Sequence, residues 1–156
     1  EPVAVSARGQ AFTPAAEHED VAFLTIEYAN GTLCHCHASW LNPRKVRQLT
    51  VVGDAQMAVW DDMQPLEPLR FYDKGLSQKR YTTFGEFQLV LRDGEIAIPK
   101  VEMFEPLVRQ DAHFLACIRG EAELRRSDGR SGLGVVRVLE AALRSLQQDG
   151  RRIVLE

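Results

Sequence analysis

Four consecutive residues, Cys34-His35-Cys36-His37, offer the nitrogen and sulfur donors that zinc prefers. They lie in a β-rich stretch, and the strand period of two sends Cys34 and Cys36 to one face and His35 and His37 to the other. Ligands divided between two faces cannot converge on one ion, so no metal site is expected, with the cysteines beneath the sheet and the histidines on its exposed face. Neighbouring cysteines on one strand face also point in parallel, which is poor disulfide geometry. A few residues on, Trp40, Arg44 and Lys45 place an aromatic ring and two cations at a strand end, a combination suited to an anionic or sugar ligand. Asp61-Asp62 offers two carboxylates at another strand end, a pattern more often solvated than cation-binding. The glycines of Gly129-Arg-Ser-Gly132-Leu-Gly134 precede a helical pattern, but a dinucleotide fingerprint needs an apolar strand before it, and Glu123 to Ser127 are mostly polar. No serine–histidine–aspartate set and no carboxylate pair on one face emerges for acid–base work.

The elements that carry these residues change character along the chain. Residues 1–12 alternate as a strand, and residues 13–20 read as a loop. A hairpin over residues 21–41 turns at Asn30-Gly31, where two positive-φ residues suit a type I′ turn. A second strand pair turns around Gly53-Asp54, and another strand spans Leu69 to Tyr72. Residues 75–86 read as a loop, and a further hairpin turns at Asp93-Gly94. About eight short strands in the first hundred residues, joined mostly by tight turns, imply an antiparallel sheet. Helical spacing then takes over. One helix runs from Pro106 to Arg119 with Leu107, Phe114 and Ile118 on one face, Asp111 among them and His113 opposite. A second helix runs from about Ser131 to Gln148, with Val135, Leu139, Leu143 and Leu146 as its core stripe and Gly150 as its stop. A last strand spans Arg152 to Leu155. Strands first and helices afterwards predict an α+β fold, an open-faced, largely antiparallel β-sheet with helices packed on one face.

The chain has 156 residues, suited to a single domain over 1–156, and it is 45% hydrophobic and 26% charged, an ordinary globular balance. A net charge of −3 shows no basic field for nucleic acid. Apolar runs fall short of the ~20 residues of a membrane span. Three cysteines and no visible secretory signal give a cytoplasmic expectation.

An ordered series of segments resembles the C-terminal domain of the Gfo/Idh/MocA family of NAD(P)-dependent oxidoreductases. It runs through Pro2-Val-Ala-Val-Ser-Ala7, Glu19-Asp20-Val-Ala22, Asn30-Gly31, Ser39-Trp40-Leu-Asn-Pro43-Arg-Lys45, Thr50-Val-Val-Gly53, Met57-Ala-Val-Trp60-Asp-Asp62 and Glu67-Pro-Leu69. It continues through Glu105-Pro-Leu107, His113-Phe114-Leu-Ala-Cys-Ile118, Ser127-Asp-Gly129, Gly132 to Ala142, Ser145-Leu146 and Gly150. The resemblance implies a substrate-binding and oligomerisation domain of a sugar or nucleotide-sugar oxidoreductase. It implies substrate contacts from Trp40, Arg44 and Lys45, and a homodimer formed through the open sheet face with His35, His37 and Ser39 in the interface. The family's glycine-rich Rossmann half, its Glu-Lys-Pro segment with the catalytic lysine and its Asp-x-x-x-His-like element are not found in these residues. The chain is therefore expected to bind no cofactor and to be inactive alone, with NAD or NADP belonging to a full-length enzyme that includes a Rossmann domain. A free-standing sheet module used as a scaffold or ligand-binding protein is the alternative, and an exposed apolar helix-side surface would favour the first reading over it.

Overall fold

The structure, a computed structural model, describes residues 1–14, 17–77, 90–125 and 127–155. Alternating short and β-branched residues at the start form β1 (Pro2–Gln10), which pairs antiparallel with β2 (Val21–Tyr28). β2 pairs in turn with β3 (Leu33–Ser39). The hairpin between them is as expected, but its turn is not type I′. Only Gly31 has positive φ, at 83°, and its N–H reaches the carbonyl of Tyr28 at 2.9 Å while Thr32 N–H reaches the Asn30 side chain at 3.2 Å. A three-residue loop with one left-handed glycine satisfies the strand twist, so Asn30 need not adopt positive φ.

The next strands are β4 (Gln48–Val52), β5 (Met57–Asp61), β6 (Leu69–Ser77) and β7 (Val90–Ala97), each antiparallel to the next. The Asp93-Gly94 turn is corrected here: both residues lie within β7, and Lys74 of β6 pairs with Asp93. The glycine serves a close approach instead. A Cβ on Gly94 would sit 2.5 Å from the carbonyl oxygen of Asp73, beside the register shift between Tyr72 and Lys74. Residues 75–77 of the expected loop belong to β6, and the remainder, 78–86, lies outside the described residues.

Two helices and a short strand follow: α1 (Pro106–Ile118), α2 (Gly129–Gln147) and β8 (Ile153–Val154), which returns antiparallel to β1. The α+β class is as expected, and among the described residues the strands divide into two open four-stranded sheets, β3-β2-β1-β8 and β4-β5-β6-β7. The chain forms two compact units, one of Glu1–Pro43 with Gln110–Glu156 and one of Arg44–Arg109.

In the first unit α2 lies on one face of its sheet. Val5 and Ala7 of β1 are buried against Ala141 and Ala142, with Leu24, Ile26, Val138, Leu146, Ile153 and Leu155 around them. The expected core stripe of α2 is therefore corrected. Val135, Leu139 and Leu143 are 57%, 54% and 55% exposed, and of the four only Leu146 packs against the core. The inward face is built from Val138, Ala141, Ala142, Ser145 and Leu146, whose small members let the helix backbone approach β1. Hydrophobic periodicity alone favours the larger residues and so selects a stripe turned to the side of the inward face. Pro106 opens α1 as expected, and Gly120 with φ 74° follows its end. No residue of α1 is buried, however, so its Leu107/Phe114/Ile118 face is uncovered and Asp111 is exposed among them.

Candidate functional site

The face of the first sheet opposite α2 carries no helix among the described elements. Register places Arg8 of β1 opposite Phe23 of β2, and Phe23 opposite His37 of β3, so all three share this outer face. His35 is opposite Thr25 on the same face. The His37 ring stacks on Phe23 with centroids 4.5 Å apart, and His35 follows at 6.3 Å. Both histidines are exposed, as their strand parity implies. Ser39 ends the strand half-buried, and its Oγ accepts the N–H of Leu41 at 3.1 Å, bracing the exit of the chain.

Two ion pairs border this face. Arg152 donates to both carboxylate oxygens of Glu27, at 2.7 and 2.8 Å, a two-pronged geometry that lowers the carboxyl pKa through hydrogen bonding and charge. Glu27 and Val154 are both register partners of Ala4, so the pair reaches over β1 and covers a fully buried Ala4. Arg8 pairs with Asp149.

On the other face, Cys34 and Cys36 are half-buried with sulfurs 3.7 Å apart. Burial first, then the neighbouring Cys34 thiol, pushes the Cys36 thiol above its ordinary value, which makes it a poor nucleophile. All three cysteines are free, and no group of three or more metal-ligating side chains converges among the described residues. His113 and Cys117 are neighbours on α1 at 3.7 Å.

The expected substrate residues lie in the segment after β3. Trp40 is 89% exposed, and its N–H donates to the carbonyl of Asp20 at 2.8 Å. Trp40 belongs to the first unit, whose leading segment ends at Pro43, while Arg44 and Lys45 open the second unit, both exposed. Asp20, which the sequence reading used only as a family segment, turns out to organise this region. Its carboxylate accepts from Thr13 Oγ1 at 2.6 Å, Thr13 N–H at 2.8 Å and Phe12 N–H at 3.1 Å, and the Thr13 hydroxyl is the main cause of its lowered pKa. An aspartate before a strand and after a proline-containing loop was the available signal, because such carboxylates collect turn amides. Asp61 and Asp62 are engaged locally, Asp61 accepting Met63 N–H at 2.9 Å and Asp62 pairing with Arg47 at 3.3 Å.

The glycine run is no cofactor loop. Gly129 to Gly134 already form the first turns of α2, and the Asp128 carboxylate accepts Ser131 N–H at 2.7 Å. A dinucleotide phosphate at this helix end would meet a carboxylate where it needs free donors, so these residues do not fit the group. Beside the helix, Pro2, Ile26, Tyr28, Val135, Val138 and Leu139 help line a mainly apolar groove of about 920 Å³. Among the described residues no helix is long and apolar enough to cross a membrane.

Comparison with known proteins agrees with this architecture. Residues 1–59 match the family model described as the GFO/IDH/MocA C-terminal domain. No curated protein matches the chain in sequence. Among solved structures, the chain resembles the WlbA dehydrogenase from Bordetella pertussis, solved with NADH and UDP-GlcNAcA, at 21% identity and TM-score 0.65 over 99% of this chain and 39% of that one. It resembles GenD2 from gentamicin A biosynthesis, solved with NAD, at 24% identity and TM-score 0.67 over 99% of this chain and 42% of that one. It also resembles the UDP-N-acetylglucosamine 3-dehydrogenase GnnA from Acidithiobacillus ferrooxidans, at 22% identity and TM-score 0.66 over 93% of this chain and 39% of that one. The chain spans about two fifths of the length of these structures. The resemblance read from the residues is thus shown: this chain matches the GFO/IDH/MocA C-terminal domain over residues 1–59 and shares, over nearly its whole length, the fold found in these larger dehydrogenases.

Proposed function

We propose that residues 1–156 act as the substrate-binding and oligomerisation domain of an NAD(P)-dependent sugar or nucleotide-sugar oxidoreductase, in the cytoplasm, and have no dehydrogenase activity alone. The observation that carries this reading is α2. Its small-residue stripe is buried on β1, while Val135, Leu139 and Leu143 form a second apolar stripe that is more than half exposed. A helix whose apolar face runs on past the sheet it packs against, through Val135, Leu139 and Leu143, has apolar surface left for a second layer, and the described residues supply one layer. The uncovered face of α1 and the apolar groove beside α2 ask for the same kind of cover. Sugar hydroxyls need polar partners, so these surfaces suit packing against polypeptide rather than substrate. A Rossmann cofactor domain is the partner we assign to them.

Trp40, Arg44 and Lys45 are the residues we assign to the substrate, through stacking on an exposed ring and charge toward a diphosphate. The open outer face with His35, His37 and Ser39 is assigned to a second copy of the chain. The test is an NAD⁺ reduction assay on this chain with a UDP-N-acetyl sugar, whose ring hydroxyl would be the group oxidised, run beside sedimentation velocity. Self-association with no turnover is expected, and saturable turnover by this chain alone overturns the reading.

A further inference from the structure

The period of two that keeps the four donors of β3 from meeting on one ion also sets two of them side by side. Cys34 and Cys36 share the helix-side face, with sulfurs 3.7 Å apart, and both are free thiols. β3 is the edge strand of its sheet, while α2 lies over β1 and β8, so the thiols stand beyond the helix and are half-buried rather than sealed. Their register partners on β2 are Ile26 and Leu24, which pack against the core, and Ala38 follows on the same face of β3. Among the described residues no third metal-ligating side chain joins the pair.

We propose that Cys34 and Cys36 form a two-thiolate binding site for a soft divalent ion of the zinc class. Two Zn–S bonds of about 2.3 Å meeting at the tetrahedral angle hold their sulfurs about 3.8 Å apart, and the two sulfurs here already stand at 3.7 Å. A linear two-thiolate ion would need about 4.6 Å. A disulfide would need about 2.05 Å, which parallel positions on one strand oppose. Magnesium and calcium take oxygen ligands, and this pair offers none.

On binding, two S–H bonds break, two metal–sulfur bonds form, two protons leave to solvent and no electron moves. The dication and two thiolates sum to zero charge, which suits an apolar, half-buried setting better than a lone thiolate does. Burial and the neighbouring thiol raise the Cys36 pKa, so Cys36 keeps its proton until the ion displaces it. The two remaining tetrahedral positions are left to water or a small added ligand.

The experiment is an anaerobic titration of the reduced chain with Co²⁺ alone, followed by Zn²⁺. Visible bands of Co²⁺ report tetrahedral geometry, and its ultraviolet charge-transfer band reports bound sulfur. Proton release per Zn²⁺ is read in weakly buffered solution, and far-UV circular dichroism follows the fold. The expected result is a tetrahedral spectrum that saturates at one ion per chain, is removed by Zn²⁺, and comes with two protons released per Zn²⁺. Cys34→Ser and Cys36→Ser should each lose at least half of the charge-transfer band and the double variant all of it, while Cys117→Ser and His35→Gln/His37→Gln keep it. One proton per ion, or a band lost in Cys117→Ser, moves the metal to the Cys117–His113 pair on α1 and overturns the assignment. Octahedral or absent bands, or a band that survives in the double Cys34/Cys36 variant, overturn it as well. The proton count uses the parent chain, so it decides even where a substitution unfolds the sheet.

Discussion

Removing the hydroxyl of Ser145 tests how α2 is fixed to the sheet. Ser145 is fully buried, and its Oγ accepts Ala7 N–H at 2.8 Å and donates to the carbonyl of Arg151 at 2.6 Å. The need for it comes from β8. That strand pairs with β1 only at Ala4 and Val5, so the ladder stops before Ala7 and leaves its N–H without a strand partner on that side. Ser145 supplies the missing acceptor from the helix and also ties down the turn leading into β8. In Ser145→Ala a buried donor loses its partner, which costs about 1–3 kcal/mol, while the Arg151 carbonyl, on an exposed residue, regains part of its loss from water. A net loss of about 2 kcal/mol is expected, a sizeable share of the ~5–15 kcal/mol that typical domains possess. Urea unfolding followed by circular dichroism should show a midpoint lowered by about 1 M with an unchanged slope. Amide exchange at Ala7 should accelerate more than at Val5, which keeps its β8 pairing. A midpoint shift under about 0.3 M with Ala7 exchange unaltered would refute this account of the joint, since a truly buried, doubly bonded hydroxyl cannot be deleted that cheaply.

Acid should loosen the first unit through Asp20 and Glu27. Both carboxyls have lowered pKa values in the folded chain, by the Thr13 hydroxyl and by Arg152 respectively, so the folded state holds their protons less tightly than the unfolded state. Their contribution is present above the unfolded carboxyl range near 4 and is lost as pH falls through the folded values. Urea midpoints measured from pH 7 to pH 3 should fall less steeply in Asp20→Asn and Glu27→Gln than in the parent chain, and identical slopes would remove both groups from the account. On the exposed stripe of α2, Leu139→Lys with Leu143→Lys should change the unfolding free energy by no more than about 0.5 kcal/mol, since exposed positions tolerate substitution. The same pair should lower binding of a hydrophobic dye and block docking of a Rossmann domain supplied as a separate chain. Unaltered docking would show that this stripe is not the contact.

The elements were legible because local rules were obeyed locally. Asn30-Gly31, Pro106, Gly120 and Gly150 all stand at chain reversals or helix ends, and the parity of Cys34 to His37 gave both faces of β3. The errors came where a residue served a distant neighbour. Asp93-Gly94 carries a turn signature, yet its glycine exists to let Asp73 of another strand pass within van der Waals range. Nothing within a few residues of Gly94 announces that. The inward face of α2 was misread for a similar reason: Ala141, Ala142 and Ser145 are chosen for how close they let β1 come, and a hydrophobicity pattern weights them least. At the site, the exposure of His35 and His37 followed from period two, but the Phe23 stack and the ion pairs around it depend on cross-strand register and on the chain end returning beside β1.

The two stripes of α2 then explain each other. Small residues settle which face meets the sheet, because only that face lets Ser145 reach the Ala7 amide; leucines at 139 and 143 on the same side would hold the backbone too far away. The large residues Leu139 and Leu143 then continue the apolar face round the side of the helix, more than half exposed. Such a helix is stable on its sheet in this chain and still has apolar surface to give to a partner. On the opposite side of the sheet the logic reverses. There Arg8 pairs with Asp149 and Arg152 with Glu27 within the chain, and Phe23, His35 and His37 lie as stacked, exposed rings. One sheet thus has a helix-bearing side that still presents apolar surface and an opposite face whose Glu27 and Asp149 are already paired within the chain.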